Sequence, residues 1–143
     1  MLTKLVVAYD GSRQSEVAFK LALDLASKYK AEMRVVAVAR PPEPPIDVEL
    51  AAVLENATEY YEGHFKCLKE KTASSGIQAT FTVKVGHPAE QIVHFADQEG
   101  ADAIVMGHRG ETRFQQWLLG SVARRVLAHA HCHVFIARRQ EPK

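Results

Sequence analysis

Residues 101–110 read Ala-Asp-Ala-Ile-Val-Met-Gly-His-Arg-Gly, and after nine further residues the chain continues Gly120-Ser121-Val122. Ala101 to Met106 is a short apolar run that reads as a buried strand, and Gly107 begins a glycine-bearing loop after it. Gly120-Ser121 opens a helical pattern that is expected to bury Val122, Val126 and Leu127. A strand, a glycine loop and a helix in that order belong to a β-α-β unit. The same alternation extends outward through the rest of the sequence.

Upstream, the run Leu5-Val6-Val7-Ala8-Tyr9 ends in Asp10-Gly11-Ser12, with Ser12 placed to cap a helix. Val17, Ala18, Leu21, Ala22 and Leu25 recur on one face of that helix. A second run, 33–39, is closed by Pro41-Pro42-Glu43-Pro44-Pro45, which predicts an exposed loop. A long helix fits residues 48–72, with Leu54, Tyr61 and Leu68 at seven-residue intervals and Phe65 between them as its core face. Ser74-Ser75-Gly76 stops it. The third run, 79–85, alternates apolar and polar residues, the pattern of a strand with one wet face near a sheet edge. Gly86-His87-Pro88 opens another helix and Gly100 lies past its end. Cys132 to Ala137 is the fifth run.

This pattern predicts a single α/β domain: an open, parallel five-stranded sheet with right-handed crossovers and helices on both faces, a Rossmann-like arrangement of strand order 3-2-1-4-5. Ligands in such sheets bind beyond the carboxyl ends of the strands, where the strand order reverses. Attention therefore falls on Asp10-Gly11, the segment after Val38, and Gly107 onward.

The chain has 143 residues, 47% apolar and 24% charged, with a net charge of +1. These proportions fit one globular domain and lack the basic field that non-specific nucleic-acid binding or attraction to anionic membranes requires. Two cysteines, Cys67 and Cys132, make no disulfide scaffold and suit a reduced, cytoplasmic setting. The amino terminus shows no signal-peptide layout, and no apolar stretch approaches the ~18 residues of a membrane span.

Each end of the glycine segment has a physical use. Gly107 and Gly110 allow a tight turn and a close backbone approach to a ligand. Gly120-Ser121 at a helix start offers unpaired N–H groups and the positive end of the helix dipole, which favour phosphate. With this spacing and context the sequence resembles the universal stress proteins that bind ATP, whose signature is G-x-x-G, nine residues, then G-[ST]. Val7-Ala8-Tyr9-Asp10-Gly11-Ser12, Val85-Gly86-His87-Pro88 and Ala101 to Met106 agree with that family as well.

The resemblance implies that Asp10 contacts the ribose, with Ala8 and Tyr9 lining the pocket. It implies that the backbone of Val38 reads the adenine edge and that Met106 and Gly107 border the nucleoside. Gly110, Gly120, Ser121 and Val122 would hold the phosphates of ATP, bridged by a divalent ion such as Mg²⁺. His108-Arg109 departs from the commoner small-polar-plus-Arg pair, and His133 stands where relatives often carry proline.

Blander readings exist for several of these residues. Asp10 also suits a turn or helix cap, and Arg109 reads equally as a solvated charge or a phosphate contact. His108 reads as a solvated loop residue. His129, His131 and His133 around Cys132 fit no zinc spacing and are assigned structural or surface roles. Trp117, Leu118 and Leu119 read as a packing or partner surface.

Three functions compete: a nucleotide-dependent regulatory module of the stress response, a slow ATPase, and a dimerising module that uses no nucleotide. No Walker lysine or nucleophile elbow supports efficient catalysis, and His108 is the one candidate base beside the phosphates. A phosphate receiver would need an acid after the third strand, and Val85-Gly86-His87 supplies none. The fifth strand, apolar on both faces and at a sheet edge, is expected to pair with a second copy in a homodimer.

Overall fold

The computed structural model describes residues 1–41, 50–108 and 119–138. The elements run β1 Lys4–Ala8, α1 Arg13–Tyr29, β2 Glu32–Ala39, α2 Leu50–Ser74, β3 Ala79–Val85, α3 Pro88–Glu99, β4 Ala103–Gly107, α4 Ser121–His129 and β5 His133–Ala137. The five strands form one parallel sheet in the order β3-β2-β1-β4-β5. The expected α/β fold and strand order are both present.

Strand β1 lies at the centre, and Leu5, Val6 and Val7 are fully buried. Its side chains alternate between two cores, as the two-residue period of a strand requires. Leu5, Val7 and Tyr9 join the core beneath α1 and α2; Val6 and Ala8 join the core beneath α3 and α4. Small residues let α1 sit close: Ala18, Ala22 and Ala26 are all fully buried against the sheet around Phe19. The helix begins where the Ser12 hydroxyl accepts the Ser15 N–H at 3.1 Å. It ends where Lys30 enters the left-handed region at φ 56°. Helix α3 starts with Pro88 in its first turn and ends on left-handed Gly100, as expected.

Four details differ from the sequence reading. Leu54 on α2 is 41% exposed while Tyr61, Phe65 and Leu68 are buried, because only the second half of that long helix lies over the sheet. Leu127 on α4 is 45% exposed, leaving Ala123 and Val126 as its buried contacts. Strand β3 is wet at Thr80 and half-buried along the rest of its length. Lys84 lays its chain over Phe95 with the ammonium 5.9 Å from the ring centre. His108 is buried at 8% exposure, not solvated. Among the described residues no helix is long and apolar enough to cross a membrane.

Candidate functional site

Strands β1 and β4 part company at their carboxyl ends, since one chain crossover leads to each side of β1. A cavity of about 310 Å³ opens there. Ala8, Tyr9, Asp10, Val38, Met106, Gly107, Gly120, Ser121 and Val122 all line it. Arg109 and Gly110 lie outside the described residues, as do Trp117, Leu118, Pro42, Pro44 and Pro45. The sequence did not point to Ser12, Ser15, Val36, Arg40, Pro88, Ile92 and Ala123, which complete the lining. Ser12 is visible in the sequence only as a cap, and Ile92 comes to the cavity from α3, a meeting of distant segments that no local pattern encodes.

One wall is apolar, formed by Val36, Val38, Ile92 and Met106. Above it the backbone of β2 becomes free on one side. Glu32 and Val36 both turn their main-chain groups toward β1, where Glu32 N–H meets Thr3 O and Val36 O accepts the Tyr9 N–H at 2.9 Å. The two-residue period then turns Val38 the same way, beyond the last β1 pair, Ala8 with Val36. Its N–H and C=O therefore face the cavity side with no strand opposite. This is a donor and an acceptor in one plane, suited to the edge of a heterocyclic base.

The opposite wall is polar. Asp10 accepts the Ser12 N–H on Oδ1 at 2.9 Å, which leaves Oδ2 for another partner. Helices α1, α3 and α4 all bring their amino ends to the cavity through Ser12, Pro88 and Ser121. They differ in capping. Ser12 covers a first-turn amide of α1, whereas α4 begins at Gly120 without any side-chain cap. The first amides of α4, beside the Ser121 hydroxyl, thus remain available to an anion.

The loop that links β4 to α4 is closed at its neck. His108 N–H donates to Ala137 O at 3.0 Å, and Gly120 N–H donates to His108 O at 2.9 Å. The buried His108 main chain thereby ties the end of β5, the end of β4 and the start of α4 into one frame. Gly107, which lines the cavity, also meets a packing constraint that the sequence does not show. A Cβ there would stand 2.8–2.9 Å from Gln14 Cβ, C and O, so the glycine admits helix α1.

Behind the cavity, on the α1/α2 face, the Tyr9 hydroxyl donates to Glu16 Oε1 and lies 3.3 Å from His64 Nδ1. Burial, followed by the Glu16 hydrogen bond and charge, pushes the Tyr9 hydroxyl far above its usual range, so it keeps its proton. At the far end of the strands, His131 pairs with Asp97 at 3.1 Å and is exposed, and Cys67 and Cys132 are free thiols. Burial, followed by the charges of Asp97 and Asp102, raises the Cys132 thiol. Among the described residues no cluster of three or more His, Cys, Asp or Glu could hold a metal ion.

An open α/β sheet with a crevice at its topological switch point is the architecture of a ligand-binding Rossmann-like protein. The profile of the universal stress protein family matches residues 1–138, and the chain belongs to that family. Universal stress protein MJ0531 of Methanocaldococcus jannaschii is 34% identical over 139 residues, covering 95% of this chain and 82% of that protein. Universal stress protein YxiE of Bacillus subtilis is 32% identical, covering 96% and 100% respectively. Among solved structures, that of MJ0577 superposes with a TM-score of 0.82 at 26% identity over 99% of each chain. A universal stress protein solved in complex with cAMP gives 0.74 at 26% identity, covering 95% of this chain and 97% of its own.

Proposed function

We propose that the cavity binds ATP and that the protein is a nucleotide-dependent regulatory module of the stress response, working in the cytoplasm. The observation that carries this reading is the pairing of an uncapped helix start at Gly120-Ser121 with a half-used carboxylate at Asp10 across one cavity. The amides of α4 suit phosphate, Asp10 Oδ2 suits a ribose hydroxyl, and the free main chain of Val38 suits the adenine edge. Arg109 and Gly110 are assigned to the phosphates by the motif alone. The relative in complex with cAMP supports an adenine nucleotide as the ligand class.

Mg²⁺ would neutralise charge on the phosphates. Asp10 is the one carboxylate among the described lining residues, so the ion would be held chiefly by the phosphates themselves. Among the described lining residues there is no set of metal-holding acids, which phosphoryl transfer needs. Turnover should therefore fall well below the ~1–10³ s⁻¹ typical of enzymes. Native purification, acid quench and mass analysis of the released small molecules test the reading. Adenine nucleotide at near-stoichiometric amount is expected; an empty protein that also fails to take up ATP·Mg²⁺ in calorimetry refutes it.

The reading includes a homodimer through β5. One side of that strand pairs with β4, and among the described residues no strand pairs with the other. Val134, Phe135 and Ile136 are each half-buried there, with His133 alone exposed. A two-fold copy pairing antiparallel would satisfy the open ladder. Light scattering at micromolar concentration should give twice the chain mass, and Val134→Pro should return a folded monomer.

A further inference from the structure

We infer that His64 of α2 is a positioning residue for Asp10, holding the Asp10-Gly11 turn from the face of the sheet opposite the cavity. The inference rests on the reading of Asp10 as the ribose contact.

The hydrogen-bond accounting fixes the state of the imidazole. Tyr9 has one hydroxyl proton, and the Glu16 carboxylate can only accept, so that proton points to Glu16 Oε1. The Tyr9 oxygen is then an acceptor toward His64 Nδ1 at 3.3 Å, and His64 must carry its proton on Nδ1. This anchors the ring at one edge. The other edge faces Gly11 across the space of one methyl group: a Cβ on that glycine would be 3.6 Å from both His64 Cε1 and His64 Nε2, and 3.9 Å from the Tyr60 hydroxyl. Tyr9, Tyr60 and Tyr61 surround the ring with centroids 5.7–6.3 Å away, which limits its swing.

Gly11 is the residue that turns the chain out of β1, at φ 82°, a conformation costly for any side chain. Among the described residues, the one hydrogen bond that holds the Asp10 carboxylate is the 2.9 Å bond from Ser12 N–H to Oδ1. That single bond permits rotation of Oδ2 about it. By fixing the Tyr9 side chain next to Asp10, His64 limits how far the turn can shift behind the cavity, and this in turn holds the Asp10 carboxylate at the lining. Tyr9 links the two, since its main chain borders the cavity and its side chain carries the His64 bond.

Calorimetry on the full chain, with ATP and inorganic tripolyphosphate as separate probes, tests this. Tripolyphosphate can engage the α4 amides but has no ribose. His64→Ala should weaken ATP about ten-fold, the scale of one lost hydrogen bond, and tripolyphosphate less than about two-fold. In an Asp10→Ala background the His64→Ala effect should vanish, because the two substitutions remove one interaction. His64→Asn, which keeps a donor near the Nδ1 position, should recover part of the loss. If His64→Ala does not fold, Tyr9→Phe deletes only the hydroxyl and should show the same ligand split. Equal losses for both probes, persistence of the effect without Asp10, or ATP affinity within two-fold of wild type overturns the inference alone. A wild-type chain that binds no ATP overturns the nucleotide reading and this inference with it.

Discussion

At the amino ends of the strands, Asp102 Oδ2 accepts three hydrogen bonds: Thr3 N–H at 2.8 Å, Thr3 Oγ1–H at 2.7 Å and Lys4 N–H at 2.9 Å. At the carboxyl ends, Asp10 accepts one, on Oδ1, within its own turn. The first aspartate joins β1 to the segment leading into β4 and its donors are all protein. The second leaves an oxygen over a cavity. A parallel sheet separates these duties by direction: its amino ends can be knotted shut for stability, while its carboxyl ends, where the chain diverges to both sides, stay open for a ligand.

The largest test of that separation is Gly120→Val. Gly120 has φ −62° and ψ 156°, values a valine can adopt, so the backbone should tolerate the change. A branched side chain at the anion-facing start of α4 should cost at least ~100-fold in ATP affinity, the loss expected when several charge-assisted contacts go together. The melting temperature should stay within a few degrees. A large fall in melting temperature with affinity retained would mean that the carboxyl end is also built for stability.

Gly107→Ala probes the same end from the other side. The added methyl would meet the Gln14 backbone at 2.9 Å, and neither α1 nor β4 can retreat cheaply. Overpacking of this kind costs about 1–3 kcal/mol, readable as a lowered urea midpoint. Unchanged stability with weakened ATP binding would assign Gly107 to ligand approach alone.

The Gln14 contact of Gly107 shows where the sequence was legible and where it was not. Strand runs, caps and the spacing of Gly107, Gly120 and Ser121 are local patterns, and they led to the right fold and to one cavity. What failed to show were contacts between distant segments. Asp102 meets Thr3 across 99 positions, and His64 meets Tyr9 across 55. Such pairs are set by how crossovers stack neighbouring strands and helices, which no window of residues records. Burial of His108 and exposure of Leu54 and Leu127 have the same origin. A side chain's exposure depends on the element laid over it, and apolar periodicity reports only which face points inward.

The smallest expected effect lies at Asp102. Hydrogen bonds from the Thr3 hydroxyl, then from the Thr3 and Lys4 amides, hold its carboxyl below the ordinary value of 3.8. The group is near solvent, so screening limits its worth, and Asp102→Asn should cost about 1 kcal/mol at pH 7. The sign follows from linkage. A folded-state value lower than the unfolded one means that the carboxylate stabilises the fold fully above about 3.8 and loses that contribution as pH falls through the lower value. The stability gap between wild type and Asp102→Asn should therefore be constant from pH 7 to about 5 and close at lower pH. Thr3→Val removes the hydroxyl donor at 2.7 Å and should shrink the gap at pH 7 without moving ATP affinity. Parallel urea-stability curves for wild type and Asp102→Asn down to about pH 2 would show that the three hydrogen bonds do not favour the charged carboxylate. The contrast with Asp10 would then rest on geometry alone.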